Sequence, residues 1–149
     1  KMAAQLFGGS STCSYGCLGY GDCAEACPYD AIKICEGVAQ VDPLLCRACK
    51  LCVATCPKRL ITLMPLHERK AAVMCHNMDK GGPARKACKA ACIGCMRCVK
   101  ACEYGAVTVK NNLAVIDGAK CVACGKCAEV CPSKCIHLFE LDAARAAQA

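Results

Sequence analysis

The sequence predicts an α+β fold made of two tandem copies of one small unit, each a short β-hairpin with short helical turns. Three observations predict it. The 149 residues include 20 cysteines but only two Phe, four Tyr and no Trp. That supply of large side chains is too thin for a conventional core, so bound metal must take part in packing. The second observation is the run Cys46-Arg-Ala-Cys49-Lys-Leu-Cys52-Val-Ala-Thr-Cys56-Pro57. The third is that the chain repeats itself, without gaps, at an offset of 75 residues.

The run at Cys46 carries the chemistry. A cysteine at every third position lets three thiolates reach three corners of a small cube, and the fourth thiolate comes from elsewhere. Cysteines followed by Cys-Pro at this spacing are the bacterial pattern for a 4Fe–4S cluster. A disulfide scaffold needs no recurring Cys-x2-Cys-x2-Cys phase. Structural zinc uses Cys-x2-Cys pairs but needs no third cysteine in phase. A zinc-held module therefore remains the weaker alternative.

The repeat sets the domain organisation. Cys17, Cys23, Cys27, Cys46, Cys49, Cys52 and Cys56 map onto Cys92, Cys98, Cys102, Cys121, Cys124, Cys127 and Cys131, and Cys13 maps onto Cys88. Self-similarity of this quality means two copies of one structural unit. Each copy has two cysteine runs, so the predicted architecture is two tandem bacterial-type two-cluster ferredoxin modules holding four 4Fe–4S clusters.

Taken in order, residues 1–12 read as a lead-in and 13–64 as the first module. Ala31–Ile34 and Val38–Val41, joined through Glu36-Gly37, predict a hairpin. Leu60–Met64 predicts a last short strand. Residues 65–87 read as a basic connector with Arg69, Lys70, Lys80, Arg85 and Lys86, in which Pro83 begins a helix running to Cys88. The bland reading of its charges is a solvated linker, and the sharper one is a docking face for an acidic electron carrier. The second module, 88–139, repeats the hairpin as Ala106–Val109 and Leu113–Ile116. Residues 140–149 form an Ala-rich tail. Single helical turns are predicted at Ala24–Ala26, Val53–Thr55, Val99–Ala101 and Ala128–Val130.

In two-cluster ferredoxins the fourth cysteine of each run ligates the other cluster. Cys46, Cys49 and Cys52 then share a cube with Cys27, and Cys121, Cys124 and Cys127 share one with Cys102. Cys92, Cys95 and Cys98 share a third with Cys131. The first run departs from the pattern, because Tyr20 stands where the second copy has Cys95. Cys13 is expected to replace the missing ligand, beside Cys17, Cys23 and Cys56. Gly19 and Gly21 allow unusual backbone angles in that loop. Cys88 competes with Cys95 in the second copy, and the regular spacing favours Cys95. Cys135 aligns with Leu60, which predicts a buried apolar role. Cys35 reads as a half-exposed strand residue, and Cys75 with Cys88 as two free thiols.

Three of the four runs end in Cys-Pro, whereas the third ends in Cys102-Glu103. A carboxylate beside a cube disfavours an added electron, so a lowered potential is expected there. Tyr29 and Tyr104 are expected to pack over the clusters.

The formal charge of +7 does not argue for nucleic acid. Four oxidised cubes with their thiolates, each at about −2, bring the loaded chain near neutrality. No run of 18 apolar residues spans a membrane. There is no dinucleotide fingerprint, phosphate loop or activated nucleophile, so no catalytic residue is predicted.

The stretch Cys13-Ser-Tyr-Gly-Cys17-Leu-Gly-Tyr-Gly-Asp-Cys23-Ala-Glu-Ala-Cys27-Pro-Tyr-Asp-Ala-Ile32 resembles the B subunit of the Rnf electron transport complex, the ion-translocating ferredoxin:NAD oxidoreductase. So do Cys75-His-Asn-Met-Asp-Lys-Gly81, Cys88-x3-Cys92-Ile-Gly-Cys95 and Asn111-Asn-Leu-Ala-Val-Ile-Asp117, and the resemblance runs from about Gly8 to Phe139. Glu103 departs from the proline usual at that place. The family's members also carry an N-terminal membrane helix and a further cluster domain, and neither pattern occurs in these residues. The resemblance implies electron relay at the cytoplasmic face of the cell membrane, between soluble ferredoxin and the other subunits of a membrane redox complex. The runner-up is a polyferredoxin or a wiring subunit of a soluble dehydrogenase.

Overall fold

The computed structural model describes residues 13–64 and 69–140. The expected lead-in (1–12), most of the tail and the connector residues 65–68 lie outside the described residues. Two compact units divide between Met64 and Pro65.

In the first unit, helix α1 (Asp22–Glu25) is followed by strands β1 (Ile32–Cys35) and β2 (Val38–Val41) and helix α2 (Leu51–Thr55). The hairpin is antiparallel, with Ile32 opposite Val41 and Cys35 opposite Val38. Both central turn residues are left-handed, Glu36 at φ 50° and Gly37 at φ 77°. That geometry suits the right-handed twist of a two-residue hairpin. Asp42 then ties the hairpin to the next cysteine run. Its N–H donates to Ala31 O at 2.7 Å, while its carboxylate accepts from Leu44 N–H at 2.8 Å.

The second unit contains β3 (Arg69–Val73), α3 (Gly81–Ala87), α4 (Arg97–Ala101), β4 (Val107–Lys110), β5 (Leu113–Ile116), α5 (Lys126–Glu129) and β6 (Ile136–Glu140). The repeat extends to single bonds. Asp117 N–H donates to Ala106 O at 2.7 Å, and its carboxylate accepts from Ala119 N–H at 2.9 Å. Ala31 and Ala106, equivalent positions, are both 2% exposed. The core of this unit joins Ala71, Val107, Ala114 and Ile136 to the thiols Cys92, Cys98, Cys127 and Cys135. Sulfur therefore does much of the packing that the missing aromatics would do.

All four expected helical turns and both hairpins form. The terminal strand of the first copy does not, since Leu60–Met64 adopts no strand. Its counterpart β6 exists because it pairs antiparallel with β3, Val73 opposite Ile136 and Arg69 opposite Glu140. Among the described residues no strand pairs with Leu60–Met64. The segment read as a solvated connector thus supplies structure to the second unit. Lys70 is only 7% exposed, and its Nζ donates to Gly118 O at 2.8 Å. The Asn77 side chain is fully buried and accepts from Asp79 N–H at 2.7 Å.

Candidate metal centres

Each cysteine run bends through two left-handed residues that flank its middle position. They are Gly94 and Met96 around Cys95, Ala48 and Lys50 around Cys49, and Ala123 and Gly125 around Cys124. A non-glycine residue held there costs about 1–3 kcal/mol, so Ala48, Lys50, Met96 and Ala123 store local strain. The bend turns amides onto sulfur: Ala48 N–H donates to Cys46 Sγ and Ala123 N–H to Cys121 Sγ, both at 3.4 Å. The second left-handed residue also opens the helical turn carrying the third cysteine.

The irregular first run adopts the same bend. Gly19 has φ 71° and Gly21 φ 82°, with Tyr20 between them, half exposed. The middle position of the loop is therefore present, although its thiol is not.

After each fourth cysteine the chain turns again through a left-handed residue, at Asp30, Arg59, Gly105 and Lys134. Where the turn closes, the amide four residues on donates to the fourth sulfur. Leu60 N–H reaches Cys56 Sγ at 3.5 Å, and Ala106 N–H reaches Cys102 Sγ at 3.3 Å.

In the second unit the expected sets come together across the repeat. Cys92, Cys95, Cys98 and Cys131 line one cavity, with Cys135 beside them. Cys102, Cys121, Cys124 and Cys127 line another. In each expected set, three thiols come from one run and the fourth from the other. Among the described residues no group of three or more His, Cys, Asp or Glu side chains closes around a single ion. Four thiols brought together from two runs around an apolar hollow, with amides donating to sulfur, have the donor chemistry a 4Fe–4S cluster needs. All twenty cysteines are free thiols.

In the first unit Cys23 feels the charges of Cys17 and Cys56, and Cys52 those of Cys46 and Cys49. Those two groups follow the expected sets. Cys13 and Cys27 are half buried in the same unit.

The electrostatics explain why such sites need metal. Burial pushes the Cys23, Cys52, Cys98 and Cys127 thiols up, and neighbouring cysteines of the same set push them further. Ionising a whole set without metal is unfavourable, so binding a metal group there would release the thiol protons. Cys102 runs the other way: burial opposes its ionisation, but the amides of Ala106, Tyr104, Val107 and Gly105 outweigh it and hold the thiol low. Cys92 is lowered to about 5, chiefly by a hydrogen bond with Cys135. Cys135 is raised by that same bond, then by burial and by Cys131.

One expectation changes. Glu103 does not present a lone negative charge, because Lys126 Nζ pairs with its carboxylate beside the cavity that Lys126 lines. Tyr29 and Tyr104 are 44% and 52% exposed, and Tyr104 lines the second cavity. Sequence reasoning also missed Cys75, whose Sγ accepts from Cys92 N–H at 3.2 Å and Asn77 N–H at 3.4 Å. No spacing signal could have joined it to a run 17 residues away.

Comparison with known proteins agrees with this geometry. Residues 91–135 match the 4Fe-4S dicluster domain family, and residues 43–59 match a 4Fe-4S binding domain. The B subunit of the Na(+)-translocating ferredoxin:NAD(+) oxidoreductase complex of Acetobacterium woodii is 52% identical over 87% of this chain and 39% of its own length. The B subunit of the ion-translocating oxidoreductase complex of Methanosarcina acetivorans is 42% identical over 93% of this chain and 52% of its own. The chain belongs to the Rnf B-subunit family. A third member, from Clostridium ljungdahlii, is named as the B subunit of a proton-translocating ferredoxin:NAD(+) oxidoreductase complex and is 40% identical over 91% of this chain. The chain spans about half the length, or less, of these family relatives. It is an iron–sulfur protein of the ferredoxin type, and no helix among its described residues is long and apolar enough to cross a membrane.

Proposed function

We propose that the chain relays single electrons through four 4Fe–4S clusters, two in each of the modules at 13–64 and 88–139. The observation that carries this is the crossed lining of the two cavities in the second unit, with four thiols from two runs around each. A 4Fe–4S cube supplies a one-electron site wherever it is bound. Cys92, Cys95, Cys98 and Cys131 hold one, and Cys102, Cys121, Cys124 and Cys127 the next. In the first module Cys46, Cys49 and Cys52 act with Cys27, and Cys17, Cys23 and Cys56 act with Cys13. The protein supplies thiolates, amides aimed at sulfur and apolar walls, the levers that set cluster potentials.

The names of the relatives support electron transfer within an Rnf-type complex, with soluble ferredoxin as one exchange partner and the other subunits as the second. The place of action is then the cytoplasmic face of the cell membrane. Anaerobic protein should contain about 16 Fe and 16 sulfide per chain, four cubes' worth, with EPR signals after dithionite. Cys49→Ala should lose about four iron. Equal iron in Cys49→Ala and the unaltered chain would sink the ligand assignment, and a colourless zinc protein would sink the function.

A further inference from the structure

The cavity lined by Cys92, Cys95, Cys98 and Cys131 has a fifth thiol. Cys135 is 3% exposed and its Sγ lies 3.6 Å from Cys131 Sγ. It lines the same cavity as Cys92, and each of the two thiols shifts the other's ionisation. Cys135 stands four residues after a fourth cysteine. At that position the other three runs have Ala31, Leu60 and Ala106, whose side chains donate nothing.

A cube has four irons and takes one thiolate at each. Thiolates on different corners point away from one another, so two sulfurs in contact at 3.6 Å do not both serve corners of one cube. Cys131 holds the place that Cys56 and Cys102 hold in their runs, which leaves Cys135 as the supernumerary group. Iron-bound Cys92 and Cys131 are thiolates, which accept and do not donate. The only proton in the trio then belongs to Cys135.

We propose that Cys135 is a positioning residue whose S–H donates to the ligand sulfur of Cys131 and raises the reduction potential of that one cluster. The proposal rests on the reading that these cysteines hold a cube. A hydrogen bond to a ligand sulfur withdraws charge from the iron, and hydrogen bonding to the sulfurs is among the determinants of cluster potential. The donor is buried, so water does not replace it when it is removed.

The test uses the full chain, loaded anaerobically, with iron counts and EPR-monitored redox titration. Cys135→Ala should keep all its iron while one cluster midpoint falls by about threefold to tenfold in its reduction equilibrium, about 28–59 mV for one electron. Cys135→Ser restores a donor and should return the midpoint at least partway, which a purely space-filling role would not do. Loss of about four iron in Cys135→Ala would make Cys135 a ligand and overturn the proposal, as would unchanged midpoints in that variant. Cys98→Ala separates the two readings. If it loses no iron, the cluster site itself is wrong, and the proposal falls with it.

Discussion

The loops around Tyr20 and Cys95 occupy equivalent places in the two copies and have nearly the same backbone. Gly19 and Gly94 are left-handed at φ 71° and 62°, and Gly21 and Met96 at φ 82° and 59°. Only the second loop has a thiol at its centre. The bend is therefore imposed by the surrounding scaffold and not by the ligand. A Cβ added at Gly19 would stand 2.7 Å from the Gly37 carbonyl oxygen, and one at Gly94 would stand 3.0 Å from that of Asn112. Each loop thus nests against its own hairpin turn, and glycine is needed for both the angle and the approach.

The strongest way to break this comparison is to move the ligand. Cys13→Ala and Cys95→Ala should each lose one cluster, about four of 16 iron, whereas Cys88→Ala should lose none. Adding Tyr20→Cys to Cys13→Ala should recover the lost iron, because the backbone at Tyr20 already has the ligand loop's shape. Failure of that double variant would show that the loop shape alone does not make a ligand site.

A smaller effect tests the nesting. Gly19→Ala meets a backbone oxygen and a left-handed angle together, and should destabilise the first unit by roughly 2–3 kcal/mol. Gly94→Ala has slightly more room and should cost less. Thermal unfolding of the loaded proteins measures both, and equal losses would remove the turn contact as the cause.

The smallest expected effect concerns a charge pair confined to the second copy. Glu103 and Lys126 replace Pro28 and Leu51 of the first copy. Both side chains are well exposed, so solvent screens them. Lys126→Gln leaves the carboxylate unbalanced and should lower one midpoint. Glu103→Gln should raise it, and the double variant should return close to the starting value. Unchanged midpoints in both single variants would deny that the pair sets the charge beside the cluster.

Much of the fold was legible because its signals are local. Cysteine phase, turn residues and the repeat specified four helical turns, two hairpins and the crossed grouping of thiols in the second unit. Strand formation at the ends was not legible. Leu60–Met64 has the apolar, β-favouring residues of a strand and forms none, whereas Arg69-Lys-Ala-Ala-Val73 looks like a charged linker and forms β3. Pairing with β6 made β3 a strand, and pairing is a long-range property. The same holds for Cys75 and Cys135, whose sulfur contacts come from packing and not from spacing.

The sequence by itself determined the cofactor chemistry, the family and the two-copy plan, because ligand spacing and self-similarity are written directly in residue order. Only the tertiary structure decided that Lys70 is buried, that Glu103 is paired, that Tyr20 sits in a ligand-shaped loop and that Cys135 stands against two other thiols. Each of these depends on which groups meet in space, and burial and hydrogen bonding, not residue type, set the energy of a charge or a thiol.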